Sequence, residues 1–160
     1  MASKNLWGSA LNYNGSTKTD ELGSVRSEYD STDKVFKTYR FVMNTGSTAT
    51  TVGDCVAFSN AGTGIITGDS DCYKGAPAGV APFAIDTNSY GWIQVGGMNS
   101  SVKLVGGVTD FEGEYVVLSA NAAGATIALG TASTYKPIGV IAVGLGSIAV
   151  HIACGDVFGI

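Results

Sequence analysis

Val52-Gly53-Asp54-Cys55-Val56-Ala57-Phe58-Ser59 is echoed, sixty positions later, by Glu112-Gly113-Glu114-Tyr115-Val116-Val117-Leu118-Ser119. Gly79-Val80-Ala81 lines up with Gly139-Val140-Ile141 at the same offset. Gly91-Trp92-Ile93-Gln94-Val95 matches Gly146-Ser147-Ile148-Ala149-Val150 with the offset shortened to fifty-five. Each copy reads as a Gly-acid turn, an alternating strand, a small-residue turn, a Gly-Val strand and a last Gly-led strand. A repeated unit has an apolar face that needs a partner to cover it. Two copies are too few for a solenoid, so the repeat implies two similar halves of one β domain. It spans about residues 50–97 and 110–155.

The bulk numbers agree. A chain of 160 residues holds one domain with a core and is short for two. Gly supplies 23 residues and Pro only 3, which excludes collagen-like and Pro-rich readings and suits many tight turns. Charged residues make up 14%, well under the roughly 25% of an average soluble domain. A surface so poor in charge implies buried subunit contacts, unless the abundant Ser, Thr and Asn cover it.

Charge is unevenly spread. Residues 1–40 carry six cations against five acids, whereas residues 41–160 carry only Lys74, Lys103 and Lys136 against eight acids. The body of the chain therefore lacks a basic face for a phosphate backbone, which argues against direct nucleic-acid binding. Met-Ala-Ser-Lys-Asn at the start has no apolar run of the secretory kind. The longest apolar stretch, Pro137 to Val150, is cut by Gly139, Gly144 and Gly146 and falls short of the roughly 20 residues of a spanning helix, so no membrane partner is expected. Cys55, Cys72 and Cys154 are odd in number and show no CxxC spacing, against zinc and against a disulfide scaffold. Buried reduced thiols are expected, with a Cys55–Cys72 bridge as the alternative.

Residues 1–33 are polar, with isolated anchors at Leu6, Trp7, Leu11, Tyr13, Leu22 and Val25. Such a composition cannot build its own core. Either it is a disordered tail or it is an extended arm over a neighbouring subunit. Trp7 and Tyr13 would be wasted on a free tail. The arm is the preferred reading, with Trp7, Leu11 and Tyr13 as contact residues.

From Lys34 the pattern alternates, with Val35, Lys37, Tyr39 and Phe41 on one side and Phe36, Thr38, Arg40 and Val42 on the other. Aromatic and β-branched residues at period two predict a strand, here an edge strand guarded by Lys and Arg. Further strands are expected at 50–52, 55–59, 64–67, 78–86, 91–96, 101–105, 108–110, 114–119, 125–129, 136–143 and 147–154. Tokens such as Asn60-Ala61-Gly62, Gly96-Gly97 and Gly106-Gly107 read as turns between them. The expected fold is all-β: a compact β-barrel or β-sandwich at 34–160, with the N-terminal arm before it.

Chemistry is sparse. His151 is the one histidine, on a strand pattern where a solvent-facing or satisfied residue is the ordinary outcome. No Gly-x-Ser-x-Gly, HExxH, Walker or EF-hand motif occurs. Asp69-Ser70-Asp71 with Asp86 has the composition of a Ca²⁺ loop, and equally that of a surface turn. Asp54 and Glu114 follow turn glycines in both copies, which suits turn hydrogen bonding better than acid–base work. Glu112 and Glu114 share one strand face and read as a solvated edge. Tyr73, Tyr90 and Trp92 are the aromatic candidates for a sugar platform, with Asn88 and Gln94 near. The competing reading packs Trp92 in the core and leaves Tyr90 exposed. The expectation is no catalytic residue, no metal and no cofactor.

Pro77-Ala78-Gly79-Val80-Ala81-Pro82-Phe83-Ala84-Ile85, leading to Tyr90-Gly91-Trp92-Ile93-Gln94-Val95-Gly96-Gly97, resembles a segment of the small head decoration (cement) proteins of tailed bacteriophages. The Gly53-Asp54 strand start, Ile138-Gly139-Val140 and the Val150-His151-Ile152 ending share that resemblance, which covers roughly residues 50–155. It implies a non-enzymatic β domain, a homotrimer on the outer capsid surface, made in the host cytoplasm. It also implies the major capsid protein as partner and an arm that orders on the shell. The alternative expectation is a tail-associated or host-recognition β module with a glycan-contacting face. A small hydrolase assembled from distant acids is the third.

Overall fold

The computed structural model describes residues 8–58, 64–66, 77–105, 115–118, 125–127, 139–144 and 147–153. Within them the chain is all-β, with no helix. The strands are β1 (Val25–Asp30), β2 (Val35–Asn44), β3 (Cys55–Phe58), β4 (Gly64–Ile66), β5 (Pro77–Val80) and β6 (Tyr90–Asn99). After them come β7 (Leu104–Val105), β8 (Tyr115–Leu118), β9 (Ala125–Ile127), β10 (Gly139–Gly144) and β11 (Ser147–Ala153).

β2 organises the first half. It pairs antiparallel with β1 along Val25↔Arg40 to Asp30↔Val35, antiparallel with β6 from Thr38 to Met43, and parallel with β4 at Met43 and Asn44. It is thus an interior strand at its C-terminal end, not the edge strand expected from its lysine and arginine. An edge among the described residues is β1, from a segment whose polarity had suggested an arm. From β4 the pairing continues through β3 and β5 to β6, which returns to β2, so five strands close a circuit. Phe41, Val42, Val56, Ala57, Ala78, Val80, Ile85, Trp92 and Ile93 are buried in it.

Gly96-Gly97 does not end a strand. β6 runs through it, with a register irregularity opposite Thr38 and Tyr39, and passes from β2 to β11 at Gly96↔Ala153 and Gly97↔Ile152. Gly97 has φ +89°, and a Cβ there would lie 2.5 Å from the Phe36 carbonyl oxygen. The glycine pair serves close backbone approach at a bulge, the other use of Gly within a strand.

Pairings in the two copies coincide at the repeat offset. Val56↔Gly79 recurs as Val116↔Gly139, and Ala57↔Ile66 as Val117↔Thr126. Phe58↔Ile65 recurs as Leu118↔Ala125, and the parallel pair Asn44↔Ile65 as Leu104↔Ala125. Each of these is a shift of sixty on both partners. β6 and β11 meet antiparallel between the two sets.

Candidate interaction surface

Residues 8–24 lie against the chain's own sheet. Gly15 bridges Tyr90, with hydrogen bonds running both ways between their backbones. Leu11, Tyr13 and Tyr90 pack on the buried cluster of Tyr39, Phe41 and Trp92. The rings are ordered, with Phe41 stacked on Tyr90 at 5.9 Å and tilted to Trp92 at 5.0 Å. Leu11 and Tyr13, expected to reach a neighbouring subunit, have intramolecular partners here. The reason is burial: β2 and β6 present an aromatic face that needs a cover, and this segment supplies it. Trp7 lies outside the described residues.

A polar latch fixes that cover. Trp92 Nε1 donates to Ser9 Oγ at 3.0 Å, and Ser9 Oγ donates to Asp20 Oδ2 at 2.6 Å. Arg26 lies over the Trp92 ring at 4.1 Å and donates to the Ser9 carbonyl at 2.8 Å. Burial pushes the Arg26 guanidinium below its ordinary value, opposed by Glu28 and Asp20. Partial burial pushes the Asp20 carboxyl up, but the bonds from Ser9, Gly8 and Thr19 and the Arg26 charge outweigh it, leaving the group lowered. The Arg26 Nε is buried without an acceptor in hydrogen-bond geometry, although Glu28 Oε1 is 3.2 Å away.

A second polar cluster stands at the start of β3. Buried Asp54 accepts from the Thr51 amide at 2.7 Å and pairs with Lys103 at 2.6 Å, and Lys103 Nζ also meets Thr51 Oγ1. Asp54 is therefore a turn acid, as its place after Gly53 suggests. Glu112, Gly113 and Glu114, its counterparts, lie outside the described residues, as do Asp69, Asp71, Tyr73, Cys72 and Cys154. Cys55 is buried, and His151 sits on β11 in register with Met98 and Val140. Trp92 is fully buried, so it is a core residue and offers no face to a sugar; Tyr90 is half-buried rather than exposed. Among the described residues no three metal-ligating side chains cluster.

The surface that stands out is the β1–β2 hairpin. Tyr29 and Phe36, directly opposed in the ladder, meet edge-on at 5.3 Å and are 55% and 68% exposed. Ion pairs brace the tip: Lys37 Nζ contacts Asp30 and Asp33, each at 2.6 Å. The Lys37 ammonium, followed by the Asp33 and Thr32 amides, holds the Asp30 carboxyl down to about 2. Beside the tip, Leu11, Lys37, Tyr39, Phe83, Gln94 and Asn99 help line a groove of about 290 Å³. Sequence alternation could not find this surface, because the same alternation describes the buried end of β2. Comparison with protein-family models, with curated proteins and with solved structures finds no match for this chain.

Proposed function

We propose that the chain is a structural virion protein, a capsid decoration (cement) subunit that binds the outer capsid surface and bridges major capsid proteins. The reading joins three supports: the resemblance over residues 50–155, the strand pairings repeated at an offset of sixty, and the exposed aromatic hairpin. In it the domain is a β-barrel or β-sandwich of two similar halves, associates as a homotrimer, and is made in the host cytoplasm. Several modest contacts per trimer would combine into high effective affinity.

The observation that carries a binding role is the Tyr29–Phe36 pair, two large aromatic side chains in edge-on contact and exposed to solvent on an ion-paired hairpin. Aromatic anchors lose little side-chain entropy on docking and dominate interface energetics. Trp7 is the third proposed anchor; Leu11 and Tyr13 would then seat the segment that presents it. Co-sedimentation with mature, undecorated capsids of the parent virus tests the reading. Saturation at hundreds of copies per particle, in ratio to the capsid lattice, is expected. A handful of copies would overturn it in favour of a tail-associated or host-recognition module.

A further inference from the structure

β1 is one edge of the sheet, and its outer side makes no backbone hydrogen bond among the described residues. The phase of that edge follows from one bond. The Phe41 amide donates to the Ser24 carbonyl at 2.9 Å, in the same register as the ladder pairs Val25↔Arg40 and Arg26↔Tyr39. Antiparallel ladders alternate, so the even residues bond inward to β2 and the amides and carbonyls of Val25, Ser27 and Tyr29 face outward. The side chains of these three residues are exposed and uncharged. Natural edges are usually blunted by Lys, Pro, a bulge or inward-pointing charges; β1 has no Lys and no Pro, the bulge of Gly23 and Ser24 against Phe41 lies before Val25, and its charges are confined to Arg26, Glu28 and Asp30 on the inner face.

We infer that β1 pairs antiparallel with β1 of a second copy, about a two-fold axis at Ser27. The sequence Val25-Arg26-Ser27-Glu28-Tyr29 is self-complementary in that register alone. Arg26 of each copy falls opposite Glu28 of the other, and Val25 falls opposite Tyr29. Shifting the axis to the Glu28 position would set Arg26 against Asp30 but would oppose Glu28 to itself, a like-charge pair in a ladder. The Ser27-centred pairing forms about six backbone hydrogen bonds. It also brings Phe36 and Tyr29 of one copy beside Val25 of the other on one continuous face. Two acids would then flank the buried Arg26, whose Nε lacks an aligned acceptor within its own chain. This two-fold contact is independent of the shell reading and separate from any three-fold association.

The test uses the full chain carrying Ser27→Cys. A directly opposed, hydrogen-bonded pair sits about 5.5 Å apart at Cα, within disulfide reach. Mild oxidation is expected to yield a reducible covalent dimer of Ser27→Cys, well above the background of the unsubstituted protein. A mixture of Val25→Cys and Tyr29→Cys chains should cross-link with each other in preference to themselves. Ser27→Pro, which removes an outward amide and, with it, the exposed Ser27 Oγ–Thr38 Oγ1 bond, should weaken association at least tenfold in sedimentation equilibrium while leaving the circular dichroism spectrum unchanged. A monomeric native protein at hundreds of micromolar overturns the proposal. Equal cross-linking from positions 25, 27 and 29 overturns it too, since chance collision has no register.

Discussion

The two ends of β2 use the same residue types and reach opposite states. At the C-terminal end both faces are covered, with Phe41 at 0% and Val42 at 2% exposure. At the N-terminal end Phe36 stands 68% exposed. Intrinsic strand preference does not separate them. What separates them is company: from Thr38 onward β6 lies alongside, β4 joins at Met43, and the segment around Leu11 and Tyr13 closes over the aromatics. Before Thr38 the ladder pairing of β6 passes to β11, Gly97 still approaches the Phe36 backbone, and β1 is the one strand paired with β2 there among the described residues. One end is core and the other is surface available for recognition.

That contrast can be broken by substitution. Phe41→Ala should lower unfolding free energy by about 3–5 kcal/mol, since it empties a closed site between Trp92 and Tyr90. Phe36→Ala should stay within about 0.5 kcal/mol, because the ring is mostly in water. Urea titration of both measures the difference, and similar losses would abolish the distinction between the two ends.

A smaller effect sharpens the same point at the glycines. Gly53 (φ +84°) and Gly23 (φ +85°) share a left-handed backbone, but a Cβ at Gly53 would lie 1.9 Å from the Ser101 carbonyl oxygen while Gly23 has open space. Gly23→Ala should cost about 1 kcal/mol from strain alone, and Gly53→Ala clearly more. Thermal unfolding ranks them; equal shifts would show that the loop of Ser101 yields freely.

Ser9→Ala tests the cover itself. It removes the acceptor of Trp92 Nε1 and a donor to Asp20, a loss of about 1–3 kcal/mol. Proteolysis within residues 8–24 should accelerate while the strands resist. If cutting is unchanged, the aromatic packing and not the latch holds the segment.

The finest effect is at the hairpin tip. Asp30 titrates at about 2 in the folded chain against an ordinary 3.8, so the favourable contribution is present above the ordinary value. It fades as pH falls from about 4 through about 2. Carboxyl chemical shifts should show that low midpoint, and Lys37→Met should move it upward. An unmoved midpoint would assign the shift to the Asp33 and Thr32 amides.

Much of the strand plan was readable in the sequence, because period-two alternation and turn glycines are local signals. The expected strands at 55–59, 64–67, 125–129 and 147–154 fall within a residue or two of β3, β4, β9 and β11. Register pairs such as Val56↔Gly79 and Val116↔Gly139 keep the offset of sixty read from the sequence. The strand at 25–30 was missed, since Val25-Arg26-Ser27-Glu28-Tyr29-Asp30 owes its pairing to β2 more than to its own apolar content. The span 50–52 is no strand, and 78–86 stops at Val80, where Ala81 and Ile85 bond instead to the Gly53 and Thr50 turn. Burial of Trp92 agrees with the core reading of its strand position, whereas the exposure of Tyr29 and Phe36 came from tertiary structure alone. Alternation sorts side chains onto two faces, but only the neighbouring strands and the folded-back N-terminal segment decide which faces lose their water.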